Sequence, residues 1–153
     1  MNLNDIDELE LRTAVAEKLG VEYLSSASAD GARFPVSGVV FGRLARAMVS
    51  LVVVCRATQR AVNVIFLVAT GSPHTYCAPA VYAALGKTGT LPKGLELSVH
   101  GVDLSVSPSH SHFADVNVLG QDFFSAGGVD LALLSSGPER TTVRLLRPRR
   151  ARS

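Results

Sequence analysis

No part of this chain is apolar for long enough to cross a bilayer. The runs Val49 to Val54 and Val62 to Val68 are bounded by Arg56, Gln59 and Arg60, well short of the roughly 20 apolar residues that a membrane helix requires. A secretory leader is not expected either, because Asp5, Asp7, Glu8 and Glu10 stand where a signal would carry a basic and then an apolar segment. The expectation is a cytoplasmic protein with no membrane partner, or a soluble domain of a longer one. Only two cysteines occur, Cys55 and Cys77, too few for a disulfide framework, so free buried thiols are expected. Charge is sparse, 18% of residues with a net of +2, and no internal repeat is visible. With 47% hydrophobic residues in a chain of 153, these absences leave one compact domain large enough to bury its own core.

The charges that are present are unevenly placed. Acids crowd the N-terminus, whereas Arg140, Arg144, Arg147, Arg149, Arg150 and Arg152 crowd the other end. Residues 4–19 carry Ile6, Leu9, Leu11, Val15 and Leu19 among charges, with Asn4 or Asp5 to cap and Gly20 to stop, which predicts an amphipathic helix. Such a helix serves either as a lid on the domain or as a contact for a partner. Residues 25–33 are small and polar and read as a linker. The expected organisation is therefore an N-terminal extension over 1–34, a folded domain over 35–146 and a basic tail over 147–153.

Beyond Pro35 the pattern turns to strands, over 36–44, 47–55 and 61–68, parted by short polar or glycine-containing breaks. Pro79 near a start and Gly86 at an end predict a short helix between them. Leu95 to Val99 and Val102 to Val106 alternate around His100-Gly101, a hairpin with glycine supplying positive φ. Further strands are expected over 113–119, 129–134 and 141–146. Many short strands with one or two short helices describe an all-β, barrel-like domain.

The segment Val64-Ile-Phe-Leu-Val-Ala-Thr-Gly-Ser-Pro73 combines an unbroken apolar run, expected to be covered on both faces, with a tight turn. It resembles the retropepsin-like aspartic peptidases, whose motif is an apolar strand followed by Asp-Thr/Ser-Gly-Ala/Ser. In this chain the Asp position is Ala69. A second segment, Asn117-Val-Leu-Gly-Gln-Asp-Phe-Phe124, is similar to the family's apolar-apolar-Gly element and the short helix after it. The resemblance covers residues 35–146 and implies a retropepsin-like acid-protease barrel.

It also implies a mechanism and a partner. In these peptidases two carboxylates about 3 Å apart share one proton, so that one activates water while the other protonates. One loop per chain means that the second acid must come from another copy, across a two-fold axis. The resemblance therefore implies a homodimer acting on a peptide or polyprotein, with no cofactor and no metal. Thr70 matches the residue whose hydroxyl bridges the two loops, Gly71 lets backbone approach backbone, and Ser72, Pro73 and His74 fall where substrate would pass. With Ala69 in place of the acid, the chain is expected to be a catalytically inactive aspartic endopeptidase. The replacement is either a change made to prevent cutting or a natural pseudo-enzyme serving as a dimerisation or peptide-binding module. The family's flap has two counterparts here, a shortened one over 87–94 or the hairpin at His100.

Weaker constellations point elsewhere. His74, Cys77, His100, His110 and His112 have spacings that permit zinc, but structural zinc sites show tight pairs with Cys in the majority, and 107–113 reads as a polar loop. Asp103, Asp115, Asp122 and Asp130 lack the Thr/Ser-Gly that follows a catalytic acid, and Asp122 suits the start of a short helix. The arginine-rich tail lacks aromatic residues between its charges and reads as a solvated end rather than a nucleic-acid contact.

Overall fold

The structure, a computed structural model, describes residues 6–87, 89, 93–135, 137 and 141–148. The N-terminal part holds α1 (Glu8–Arg12) and α2 (Ala14–Leu19), followed by β1 (Val36–Phe41), β2 (Arg46–Cys55) and β3 (Arg60–Val68). The middle holds β4 (Tyr76–Cys77), α3 (Pro79–Ala84), β5 (Leu95–Val99) and β6 (Val102–Pro108). The last part holds β7 (Asn117–Leu119), α4 (Gln121–Gly127), β8 (Asp130–Ser135) and β9 (Thr141–Leu146). The molecule is thus mostly β, with few and short helices.

Six strands close into a barrel in the order β3-β7-β4-β6-β5-β2, with β2 returning to β3. Closure gives each of these strands partners on both sides, which an open sheet denies to its edges. The long β2–β3 hairpin is the spine, paired from Met48↔Leu67 to Cys55↔Arg60. Val64, Ile65, Phe66 and Leu67 are all at most 2% exposed, so both faces of β3 are covered, as an apolar run without alternation requires. Beyond the barrel, β1 pairs with the N-terminal half of β2, β9 with β1, and β8 with β9. Gly38 lets β1 cross β2 closely, since a Cβ there would meet the Met48 carbonyl and Val49 Cγ1.

The hairpin between β5 and β6 turns at His100 (φ 47°) and Gly101 (φ 84°), with Val99 facing Val102. Both central residues are left-handed, the geometry that matches strand twist in a two-residue turn.

Other expectations need correction. The amphipathic helix of residues 4–19 is two pieces, broken at Thr13 (φ −117°, ψ −90°). Thr13 Oγ donates to the Leu9 carbonyl at 2.7 Å, a side-chain bond that competes with helix continuation. The first cap is Asp7, whose carboxylate accepts from Glu10 N–H, while Asn4 and Asp5 fall outside the described residues. Leu11 and Val15 are buried but Leu9 is 67% exposed. Ile6, Leu11, Val15 and Tyr23 share one hydrophobic cluster with the barrel, so the extension is part of the core. The presumed linker runs along β3 instead. Leu24 N–H donates to Asn63 O, Ala27 N–H to Ala61 O, and Asn63 N–H to Ser25 O.

The first strand ends at Phe41, short of Leu44, and the strand expected over 113–119 begins only at Asn117, because Ser111–Phe113 forms a 3-10 turn. In the tail, Arg147 packs over the Phe34 ring, and residues 149–153 fall outside the described set, as do 88 and 90–92 of the short-flap expectation. Among the described residues no helix is long and apolar enough to cross a membrane.

Candidate functional site

The turn after β3 hangs from the pair β7 and α4. β7 lies between β3, to which it is parallel, and β4, to which it is antiparallel. The segment joining β3 to β4 must therefore loop around the end of β7. Ala69 N–H donates to Leu119 O at 2.9 Å, Ser72 N–H to Ala69 O at 2.9 Å, and Gln121 N–H to Ser72 O at 2.7 Å. These three bonds fix the turn from both sides with main-chain groups alone.

Side chains finish the fastening. Thr75 is fully buried, and Asp122 accepts its N–H at 3.1 Å and its hydroxyl at 2.6 Å. The same Thr75 oxygen accepts Gly120 N–H at 3.0 Å. Asp122 also accepts the N–H of Phe123 at 2.8 Å, so one carboxylate joins the start of α4 to the loop. Charge-assisted bonds of this kind are roughly twice as strong as neutral ones. Gly120 is required here on steric grounds: an added Cβ would collide with the His74 carbonyl and stand 2.8 Å from Ser72 O.

A second buried network lies beneath. Asn117 is fully buried, and its amide donates to Tyr23 Oη at 2.7 Å and Ile65 O at 2.9 Å while its carbonyl accepts Ala78 N–H at 2.8 Å. Tyr23, from the N-terminal extension, is pushed up to about 12 by burial, with the Asn117 bond pulling the other way. Cys55 and Cys77 are free and buried, and burial raises the Cys77 thiol far above its ordinary range.

The sequence-predicted residues divide into two groups. Ala69, Thr70 and Gly71 line a cleft of about 380 Å³ that is also lined by Leu44, Leu131 and Leu133. Ala69 is 8% exposed, whereas Thr70 and Gly71 are exposed. A Cβ on Gly71 would meet nothing within 4 Å, so among the described residues nothing demands glycine there. Ser72, Pro73 and His74 sit outside that cleft lining. The Ser72 hydroxyl donates to His74 O at 2.8 Å, and Pro73 and His74 are exposed. A larger groove of about 500 Å³ at Arg56, Leu95, Leu97 and Asp103 lies away from the turn and gathers no convergent chemistry.

The metal constellation does not assemble: among the described residues no three of His, Cys, Asp or Glu converge. His110 instead packs with Tyr76 and Phe113, and His100 is buried against Phe34. The residues missed in sequence are Thr75, Asn117 and Tyr23. Thr75 and Asp122 are 47 positions apart, and no local pattern marks such a pair.

Besides Ala69, Thr70 and Gly71 the cleft is lined by Leu44, Arg46, Leu131 and Leu133, and no Asp, Glu, His or Cys is among its described lining residues. No family model, curated protein or solved structure matches this chain.

Proposed function

We propose that this chain is a retropepsin-like aspartic endopeptidase domain in an inactive form, one that pairs with a second copy around the turn 69–72 and receives an extended peptide there. The observation that carries the reading is the fastening of Ala69. Its N–H is bonded to Leu119 and its carbonyl to Ser72, so the one position where the motif calls for an acid is fastened by main-chain bonds on both sides and lines the cleft. A rigid support is what a catalytic carboxylate requires, because geometry must be set before the reaction. With a methyl group at that position, no carboxylate pair forms and no water is activated.

The turn's exposed members suit this role. The Thr70 hydroxyl has no hydrogen-bond partner among the described residues, and Gly71 faces open space, so both remain available to a partner's equivalent turn. The test is Ala69→Asp. Acid-favoured, pepstatin-sensitive peptide cleavage by the folded variant supports the peptidase reading, while a folded dimer that leaves peptides uncut overturns it.

A second reading keeps the scaffold and drops the chemistry: a dimerisation or peptide-binding module. It is favoured by Leu44 and Leu133, 58% and 60% exposed beside the turn. Large aliphatic groups exposed at a cleft mark contact surfaces more than reaction centres. An Ala69→Asp protein that dimerises without cutting is its expected signature.

A further inference from the structure

His100 occupies a position that only one protonation state fits. Its backbone N–H donates to Val52 O at 2.7 Å, and in return Val52 N–H donates to the ring Nδ1 at 3.1 Å. The ring thus takes the place of a ladder carbonyl just beyond the last β2–β5 pair, Val53↔Val99. A backbone N–H can only donate, so Nδ1 must carry a lone pair. The proton of the neutral ring then sits on Nε2, which lies 2.7 Å from Arg33 O and donates to it. The ring is packed edge-on to Phe34, with centroids 5.0 Å apart, and the residue is 4% exposed.

We propose that His100 is an acid-sensitive latch: while its ring is neutral it holds residues 28–35 of the N-terminal segment against β2, and a second proton on the ring releases them. Protonation places an N–H on Nδ1 directly opposite the Val52 N–H, two donors with no acceptor between them. The backbone of β2 is locked into its ladder with β3, so the ring must leave. Its departure removes the bond to Arg33 O and the packing on Phe34 together.

The charged groups around the ring do not reverse this. On the N-terminal segment these are Asp30 and Arg33, whose Nε donates to the Asp30 carbonyl. Across Phe34 stands the Arg147 guanidinium. On the hairpin side Asp103 is paired with Arg56 at 3.0 Å, and Val52 on β2 carries no charge. Among the described residues no carboxylate is bonded to the ring to stabilise its cation, its two nitrogens meeting Val52 N–H and Arg33 O. Burial accordingly holds the imidazole below its ordinary value, an effect partly countered by the Arg33 carbonyl. The bonds of Leu24, Ser25 and Ala27 to β3 involve no titrating group, so the opening is confined to 28–35.

The test is amide hydrogen exchange of the whole chain at pH 7.5 and 5.5, corrected for intrinsic pH dependence, together with ¹⁵N shifts of the His100 ring. The expected result is an Nε2–H tautomer at pH 7.5 and an increase of about tenfold in exchange over 28–35 at pH 5.5, from a released histidine of ordinary basicity. Residues 60–68 should be unchanged, and His100→Gln should abolish the pH response. Equal loss of protection in 60–68, no change in 28–35, or the same response in His100→Gln would each overturn the latch. If that variant does not fold, the wild-type protein decides: coincident midpoints for ring protonation and exchange support the latch, and separate midpoints refute it.

Discussion

Asp122 receives both the main-chain N–H and the hydroxyl of Thr75, at 3.1 and 2.6 Å, and thereby fastens the far end of the turn to the helix that follows β7. The near end is fastened by Ala69 N–H to Leu119. The turn is therefore held at both ends by one β-strand and helix start, whatever stands at position 69.

Removing that carboxylate should be costly. Asp122→Ala leaves a buried N–H and a buried hydroxyl without their acceptor, for about 2–3 kcal/mol of lost stability. Asp122→Asn retains one acceptor oxygen and should lose less than half as much. Urea unfolding of the three proteins checks the order, and equal midpoints for wild type and Asp122→Ala would contradict it.

Gly120→Ala should destabilise by about 3 kcal/mol or displace the turn, because the new methyl meets the His74 carbonyl, a backbone atom that cannot rotate away. Gly71→Ala meets open space and should alter monomer stability by less than about 0.5 kcal/mol. Thermal unfolding separates the two. If the paired assembly holds, Gly71→Ala should still weaken self-association, visible by sedimentation.

Tyr23→Phe removes the acceptor of a buried Asn117 N–H and should cost about 1–3 kcal/mol near neutral pH. Tyr23 in the folded protein is raised to about 12, above the value of about 10 for an exposed tyrosine. The unfolded chain therefore releases its proton first as pH rises. The stabilisation is complete below pH 10 and is lost as pH climbs towards 12. The stability difference between wild type and Tyr23→Phe should shrink by about 2 kcal/mol across that window, as followed by denaturant titration at pH 9 and 11.5.

Leu133→Asp should leave the isolated chain within about 0.5 kcal/mol of wild type, because the side chain is 60% exposed. It should reduce self-association or peptide binding at least about tenfold if the cleft wall is a contact surface. Light scattering and fluorescence titration read the two effects, and unchanged association would remove Leu133 from the interface.

Much of the fold was legible in local patterns. The unbroken run Val64 to Val68 marked a strand covered on both faces, His100-Gly101 marked a two-residue turn, and Pro79 and Gly86 bracketed a helix. Each signal is short-range chemistry, positive φ or fixed φ or absent alternation, that operates wherever the segment is placed. The break at Thr13 was hidden because a threonine in a helical pattern becomes a break only when its hydroxyl turns back to Leu9. The pairing of 24–27 with β3 was hidden because small polar residues carry no periodicity; β7 pairs only with 66–68 of β3, and the main-chain groups of 61–63 ahead of that pairing bond to the N-terminal segment instead.

The order of residues by itself determined that position 69 is alanine, that a tight turn follows a buried strand, and that the sequence has few charges and no apolar run of membrane-spanning length. Only the tertiary structure decided what holds that turn. Thr75 and Asp122, Asn117 and Tyr23, and His100 and Arg33 are each separated by 47 to 94 positions, and hydrogen bonds between such groups exist only after barrel closure removes water and leaves each buried donor one acceptor within reach.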